Sequence, residues 1–357
     1  MGRNDAGKTA TSLCKVLAGA WRRSPPPLDC PAEELAGLAP VLAGSGLAPL
    51  VRRRLRPGRL CVAHATRLRR AYRYHSLQNA LSEHKIKQAF TLLRAAGVEP
   101  LVIKGLSSAR FYARRNLRPY GDIDLVVKPS EMSAAQSALE EIDGLRNWVD
   151  LHPPDGPEGY DLFEVYGRSE LFALGGVGVR VPRPEDHLRV ACVHLLKHGA
   201  WRPLWLCDVA AAVESRPANF DWGVCLSGGR KVAERVACAV RLAHALLGAD
   251  LSDTPFASAR GSLPGWLVRA VLAQWERPFA QDHEAPELMS AALRRPAKLA
   301  KALRRRWPDP VKATLRFGGG FDESPRLVYQ LGDYVLSGAE FVARLPGLLR
   351  RQRRRAT

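Results

Sequence analysis

The sequence predicts a mixed fold of the α/β (α+β) class, in which helices flank a small mixed sheet. Three observations lead to this prediction. Short apolar runs bounded by turn residues, typical of buried strands, fall between residues 98 and 181. Apolar residues at helical spacing dominate residues 10–97 before that region and residues 184–275 after it. The chain of 357 residues is also 46% hydrophobic, which is enough for two or three domains with buried cores.

Composition limits the classes of protein to which the chain can belong. The seven cysteines are odd in number and form no CxxC pair, which favours buried thiols over disulfides or a zinc site. No secretion signal is apparent, and no apolar stretch approaches the roughly 20 residues of a membrane span. We therefore expect a cytoplasmic protein. The net charge of +19 favours anionic partners, but the arginines are dispersed over many helices, so charge alone is weak evidence for nucleic-acid binding.

Changes in this pattern along the chain predict four regions. They are an N-terminal helical region (residues 1–97), a sheet-containing core (98–183), a helical domain that closes over a cleft in the core (184–275), and a basic helical C-terminal region with a tail (276–357). Within the first region a long helix is expected over residues 74–96, with Leu77, Leu81, Phe90 and Leu93 facing inward. The arginine-rich tail predicts at most weak contact with anionic surfaces.

The residues that folding alone explains least are three aspartates on predicted strands. Side chains alternate along a strand, so Asp122 and Asp124 share one face while apolar residues take the other. Asp150, on the next predicted strand at residues 148–152, can join them. Carboxylates this close raise one pKa or recruit a hard divalent cation. A solvated edge strand is the simpler alternative, but the apolar opposite face argues against it. We predict these aspartates as catalytic residues and ligands of Mg²⁺ or Mn²⁺.

Small and basic residues flank the aspartates. Gly105 allows the backbone to approach a phosphate closely, and the amides of the helix expected after it can donate to an anion. Lys104 adds a point charge and Arg118 a bidentate one. Any one of these cations is more often a surface charge. Beside the aspartates, the group predicts binding of a phosphate-bearing substrate.

The same residues resemble the uncharacterised nucleotidyltransferases of the polymerase-beta-like superfamily. The resemblance rests on Ile103-Lys104-Gly105 and on Leu-Arg-Pro-Tyr-Gly-Asp-Ile-Asp-Leu at residues 117–125, and it covers about residues 30 to 250. It implies a polymerase-beta-like core that transfers a nucleoside monophosphate from an NTP, with Mg²⁺ or Mn²⁺, and releases pyrophosphate. The acceptor is left open between a small molecule, a peptide, a protein and RNA, as is the base preference.

The resemblance continues in the helical domain, at residues 194–199 and again at residues 205–208. It implies that Lys197 and His198 face the cleft and contact the triphosphate or the acceptor, with Asp208 orienting one of them. A capping or core role is the alternative for this pair. His194 and His198 also have the spacing of a helical metal pair, but the glutamate of a zinc protease motif is missing.

Two departures from the superfamily pattern keep other functions open. The usual Gly-Ser turn is here Lys104-Gly105, so Ser107 or Ser108 would have to supply the serine contact to phosphate. Pro153 replaces the tryptophan that typically follows the third strand. The alternatives are a catalytically inactive nucleotide-binding or interaction module and, on the Asp-x-Asp motif alone, a glycosyltransferase that uses nucleotide sugars.

Overall fold

A computed structural model describes residues 8–142, 144–153, 162–258, 263–276 and 307–340. Much of the basic C-terminal region and the arginine-rich tail lie outside these residues. Within them, no helix has the length and apolar character needed to cross a membrane.

The structure combines many helices with two small sheets, which confirms the mixed class. The N-terminal helices are α1 (Lys8–Leu17), α2 (Ala32–Gly44), α3 (Ala48–Arg52) and α4 (Val62–Ala95). The core contains β1 (Leu101–Ile103), α5 (Gly105–Ala109), β2 (Ile123–Val126), α6 (Met132–Glu140), β3 (Val149–His152), α7 (Leu162–Gly167), β4 (Glu170–Leu174) and β5 (Val177–Val181). After it come α8 (Pro184–Lys197), α9 (Pro203–Glu214), α10 (Trp222–Cys225), α11 (Arg230–Leu247), α12 (Gly265–Trp275), α13 (Pro310–Arg316) and helical residues 327–340.

The main sheet is mixed, as the sequence predicts. Its strand order is β1-β2-β3, with β1 antiparallel and β3 parallel to β2. The parallel pairing fits the chain, because α6 lies between the two strands as a crossover. Strands β4 and β5 form a separate hairpin, turning at Gly175 and Gly176, whose φ angles of 53° and 86° suit the tight turn. The hairpin packs beside β1 through β5.

The two faces of the main sheet have different partners. Ile123, Leu125 and Val127 enter a core formed with α4 and α6. On the other face Val126 packs in a smaller cluster with β1 and with Val190 of α8. The apolar alternation predicted for β2 is therefore confirmed, and its polar positions lie on the side of α8.

The helices before and after the sheet share one apolar core. Leu13 of α1 and Leu35 of α2 belong to the same buried cluster as Leu195 of α8, Val240 of α11 and Leu267 of α12. The four predicted region boundaries stay predictions. The N-terminal helices nevertheless stabilise the helical domain directly, because both contribute to this cluster.

Helix α4 is longer than predicted, and part of its predicted inward face is wrong. Phe90 and Leu93 are fully buried, but Leu77 is 71% exposed and Leu81 39% exposed. The reason is helical geometry, because at about 100° per residue Leu77 and Leu81 lie on the side of the helix opposite Phe90 and Leu93. Here α4 turns the buried Asn79 and Ser82 inward, where they bind the backbone of residues 118–121.

Candidate active site

One side of the site is formed by the turn that follows β1, whose backbone is strained. Lys104 has φ 61° and ψ −156°, a conformation that non-glycine residues rarely adopt, and Gly105 follows with φ 38°. A Cβ at Gly105 would also lie 3.4 Å from the ring of Tyr120, so glycine suits this position on two counts. Strained backbone of this kind persists where its surroundings enforce it, often at functional sites.

The segment before β2 is held by α4. The Asn79 side-chain amide donates to the carbonyl of Arg118 at 3.0 Å, and its oxygen accepts from the amide of Tyr120 at 3.1 Å. Asn79 is 3% exposed, so these bonds satisfy a buried polar side chain. They fix the backbone that leads directly into Asp122 and β2.

Two aspartates stand side by side at the sheet. The parallel register pairs Asp124 of β2 with Asp150 of β3, and paired residues share a face. His152, two residues further along β3, lies on that face too. One ligand atom from each of Asp124, Asp150 and His152 lies within 4.8 Å of the others. The sequence predicted the pairing of the two aspartates, but not the imidazole as a third member.

Asp124 is the electrostatic centre of this group. Its Oδ1 accepts a hydrogen bond from Lys104 Nζ at 3.2 Å and lies 3.0 Å from His152 Nε2. Burial disfavours the ionised carboxyl, but the His152 hydrogen bond and the charge of Lys104 outweigh it and hold the pKa of Asp124 below its usual range. The carboxylate is therefore ionised at neutral pH, as a metal ligand must be.

Lys104, Asp124 and Asp150 line an open cleft of about 510 Å³ between the sheet and the helices, and His152 is not among its lining residues as the structure describes them. Its lining on the side of the sheet is Lys104, Gly105, Ser108, Arg118, Pro119, Tyr120, Gly121, Asp122, Asp124 and Asp150. The helices contribute Tyr74, His75 and Gln78 from α4, and His187, Val190, Ala191, His194, His198, Arg202, Trp205 and Asp208 from α8, α9 and the segment between them. Residues between His187 and Asp208 thus contribute to the lining, and the closing of the cleft by a domain of residues 184–275 stays a prediction.

The donor set fits a divalent cation. Two carboxylates suit Mg²⁺ or Mn²⁺, whereas an imidazole nitrogen is a poor ligand for Mg²⁺ and a better one for transition metals. Asp124, Asp150 and His152 together offer two carboxylates of the kind that suit Mg²⁺ or Mn²⁺ and one imidazole of the kind that transition metals prefer.

A comparison with protein families decides which group the chain belongs to. A family model described as uncharacterised nucleotidyltransferase matches residues 32–148 and 147–248. The chain belongs to this family. No curated protein and no solved structure matches the chain. The resemblance seen in the sequence is thus confirmed over nearly the same span, and the matched residues include all the described residues that line the cleft.

Membership of this family indicates a nucleotidyltransferase role. Asp122 is exposed and lines the cleft, but it precedes β2 and is not one of the three residues whose ligand atoms cluster. Its role as a metal ligand stays a prediction.

Arg118 lies at the base of the cleft in a buried ion pair. Its Nη2 donates to Asp208 Oδ2 at 2.7 Å and its Nε to Asp208 Oδ1 at 3.1 Å. Tyr112 donates its hydroxyl to Oδ1 of the same carboxylate at 2.7 Å. Asp208, expected to orient Lys197 or His198, thus holds Arg118 and Tyr112. Arg118 remains a predicted phosphate ligand, but its guanidinium already binds a carboxylate.

The two serines differ in position. Ser108 lines the cleft, whereas Ser107 is fully buried and its hydroxyl lies 3.0 Å from Nδ1 of His187. Burial, together with the charges of nearby arginines, holds the pKa of His187 well below its usual range. A neutral His187 therefore supports the turn after Lys104 from behind. The sequence offered no signal for this contact, which joins residues 80 positions apart.

Lys197 and His198, at the end of α8, differ in whether they line the cleft. His198 lines the cleft as the structure describes it, and Lys197 does not. His198 packs against His194 with ring centroids 4.5 Å apart, and both rings contact Trp205 of α9. The two histidines and Trp205 therefore form an aromatic part of the cleft lining. The sequence did not single out Trp205 for this part of the lining.

Proposed function

We propose that this protein is a metal-dependent nucleotidyltransferase built on a polymerase-beta-like core. It would transfer a nucleoside monophosphate from an NTP to an acceptor hydroxyl or similar group and release pyrophosphate. The observation that carries the proposal is the pairing of Asp124 with Asp150 on parallel strands, facing a cleft inside the region that matches the family.

Asp124 and Asp150, with His152 or Asp122, would hold the divalent cation. When bound, such a cation neutralises charge on the triphosphate and helps to orient an in-line displacement. The neighbouring Ser108 and the turn at Gly105 line the cleft and are suited to contact phosphate oxygens. These groups would bind and align the α-phosphate for attack.

Asp150 is suited to act as the base because its side chain is exposed. The acceptor hydroxyl would give its proton to this carboxylate as its oxygen bonds to the α-phosphorus. The bond between the α-phosphorus and the bridging oxygen breaks, and pyrophosphate leaves. This arrangement requires the acceptor to approach from the open side of the cleft.

Transfer of label tests the proposal. The protein is incubated with α-labelled NTPs, Mg²⁺ or Mn²⁺ and a cell extract, and the labelled component and free pyrophosphate are measured. We expect a labelled acceptor and pyrophosphate with wild type and neither with Asp124→Ala. Labelling that persists in Asp124→Ala would mean that another site or a contaminant is responsible, and the proposal would fail.

A second candidate is a nucleotide-binding module without turnover. It is favoured by Lys104, whose ammonium lies 3.2 Å from Asp124, beside a carboxylate assigned to the metal. If the ammonium replaces the cation, Lys104→Gly should raise the affinity for Mn²⁺, and wild type should bind nucleotide equally well with and without metal. Glycine also suits the φ of 61° at this position. Metal-dependent release of pyrophosphate by wild type would exclude this candidate.

A further inference from the structure

The cations expected to bind the triphosphate are largely occupied. Lys104 forms an ion pair with Asp124, and Arg118 forms a bidentate one with Asp208. Lys197 is not part of the cleft lining as the structure describes it. A substrate with several negative charges therefore needs a further cation in the cleft.

Arg202 meets this need. It lines the cleft, is half-buried, and has no carboxylate ion pair among the residues that the structure describes. Its guanidinium lies 5.9 Å from the ring centroid of Trp205, which leaves its hydrogen-bond donors available. Burial and the nearby charge of Arg118 lower the pKa of Arg202 more than the charges of Asp208 and Asp122 raise it, so an incoming anion would favour its charged form.

The backbone that carries Arg202 is strained and firmly supported. Gly199 and Ala200 at the end of α8 both have positive φ, 71° and 53°. Among the described residues, Ala200 and Lys104 are the two non-glycine residues with positive φ; Lys104 lines the cleft, and Ala200 is buried two residues before Arg202. Strain of this kind is characteristic of positions that a site requires.

Helices α12 and α13 hold this connection from behind. Trp275 donates its indole N–H to the carbonyl of Ala200 at 2.9 Å. A Cβ at Gly199 would lie 2.7 Å from Asp309 Oδ1, so the chain passes where only glycine fits. The connection is thus fixed in the conformation that directs Arg202 toward the cleft.

We propose that Arg202 binds the phosphate chain of the substrate in the cleft. This rests on the proposed function, in which an NTP occupies the cleft. The planar guanidinium would donate two parallel hydrogen bonds to non-bridging phosphate oxygens, a geometry that lysine cannot reproduce. Arg118 then supports the base of the cleft, and Arg202 contacts the ligand.

Calorimetric titration with inorganic tripolyphosphate tests this assignment without requiring turnover. Wild type should bind tripolyphosphate in the absence of metal, and Arg202→Ala should bind it at least about tenfold more weakly, as expected for loss of a charged hydrogen-bond donor. Arg202→Lys should fall between them. Arg230→Ala removes one positive charge at an exposed position of α11 and should bind like wild type. Thermal unfolding of each variant establishes that it is folded.

The outcomes separate this inference from the proposed function. Equal binding by wild type and Arg202→Ala, or no binding by wild type, would overturn the role of Arg202. Weaker binding by Arg202→Ala together with normal binding by Asp124→Asn would support that role even if no labelled acceptor is ever found. Equal losses in Arg230→Ala would mean that net charge alone is responsible and would also overturn it.

Discussion

Two acidic groups in one cleft use the same residue types in different ways. Asp208 is 4% exposed and its carboxylate is bound by Arg118 and by Tyr112. Asp124 has a side chain that is 15% exposed, and beside it stands the exposed Asp150. In the first group, Arg118 and Tyr112 occupy the carboxylate oxygens of Asp208. In the second group, Asp124 and Asp150 present carboxylate oxygens to the cleft.

This difference indicates that burial determines whether an ion pair of a carboxylate and a cation is structural or available to bind a ligand. A buried pair must be complete within the protein, because an unpaired buried charge is costly. A partly exposed pair can exchange its partner for a ligand at little cost. We therefore expect changes in the Asp124 group to affect chemistry and changes in the Asp208 group to affect stability.

The largest effect is expected from Asp124→Asn. The variant keeps the size of the side chain but loses its charge, so transfer of labelled nucleotide should fall by about a thousandfold, or ~4 kcal/mol in the barrier. Its free energy of unfolding should fall less than that of Arg118→Ala, because its ion pair is less deeply buried than that of Arg118 with Asp208. Rate of label transfer and chemical denaturation measure the two quantities.

The exposed Asp253 provides a matched control for this variant. Asp253→Asn makes the same chemical change outside the cleft lining and should retain both activity and stability. If Asp124→Asn instead unfolds with a loss of several kcal/mol, then Asp124 is a structural residue like Asp208, and the contrast between the groups disappears.

Arg118→Ala should have the opposite profile. It leaves the buried Asp208 carboxylate without its main partner, and breaking a buried pair in this way typically costs about 3–5 kcal/mol. Urea denaturation of the folded variant measures this loss. Arg115→Ala, which breaks an exposed ion pair with Glu83, is the control and should cost about 0.2–1 kcal/mol.

The contrary result for Arg118 would be equally informative. If Arg118→Ala is as stable as wild type but no longer binds NTP, its guanidinium is a substrate ligand, as the sequence suggested. The ion pair with Asp208 would then be a resting contact that the substrate replaces.

Sequence alone predicted much of the Asp124 group but little of the Asp208 group. The pairing of Asp124 with Asp150 follows from local alternation on two apolar strands, together with the crossover between them. The partnership of Arg118 with Asp208 joins residues 90 positions apart. No local pattern indicates which cation a buried carboxylate will meet, so motif reasoning assigned Arg118 to phosphate binding and Asp208 to orienting Lys197 or His198.

The error in α4 has a different cause. At about 100° per residue, Leu77 and Leu81 lie on the side of the helix opposite Phe90 and Leu93, and the first pair is exposed and the second buried. The buried face that contains Phe90 and Leu93 continues through Asn79 and Ser82, which bind the backbone of residues 118–121. Sequence patterns predict apolar burial well. They do not predict buried polar contacts that position a loop.

A smaller effect tests whether His152 belongs to the Asp124 group as a ligand. His152→Asn should lower the affinity for Mn²⁺ at least about tenfold, because loss of even an outer partner of a metal site costs 10–100-fold. Affinity for Mg²⁺ should change less, since that ion prefers oxygen ligands. Calorimetric titration with each metal measures both, and His84→Asn, on the exposed side of α4, should change neither. Equal losses for both metals would contradict a selective nitrogen ligand.

The smallest effect expected is a pH-dependent one in the Asp208 group. Burial and the adjacent Asp208 charge raise the pKa of Tyr112 well above its usual range, so the folded protein keeps the phenol protonated. Its hydrogen bond to Asp208 should make wild type about 1 kcal/mol more stable than Tyr112→Phe at neutral pH. As pH rises above the unfolded tyrosine pKa of about 10, the unfolded chain releases a proton that the folded chain retains. The stability advantage of wild type over Tyr112→Phe should therefore shrink with rising pH, as denaturation between pH 7 and 10.5 would measure.

Tyr74→Phe, at a position 63% exposed, should show no such trend. A constant difference across this range would mean that Tyr112 ionises as readily in the folded protein as in the unfolded chain, and that the Asp208 group is more open than its burial indicates.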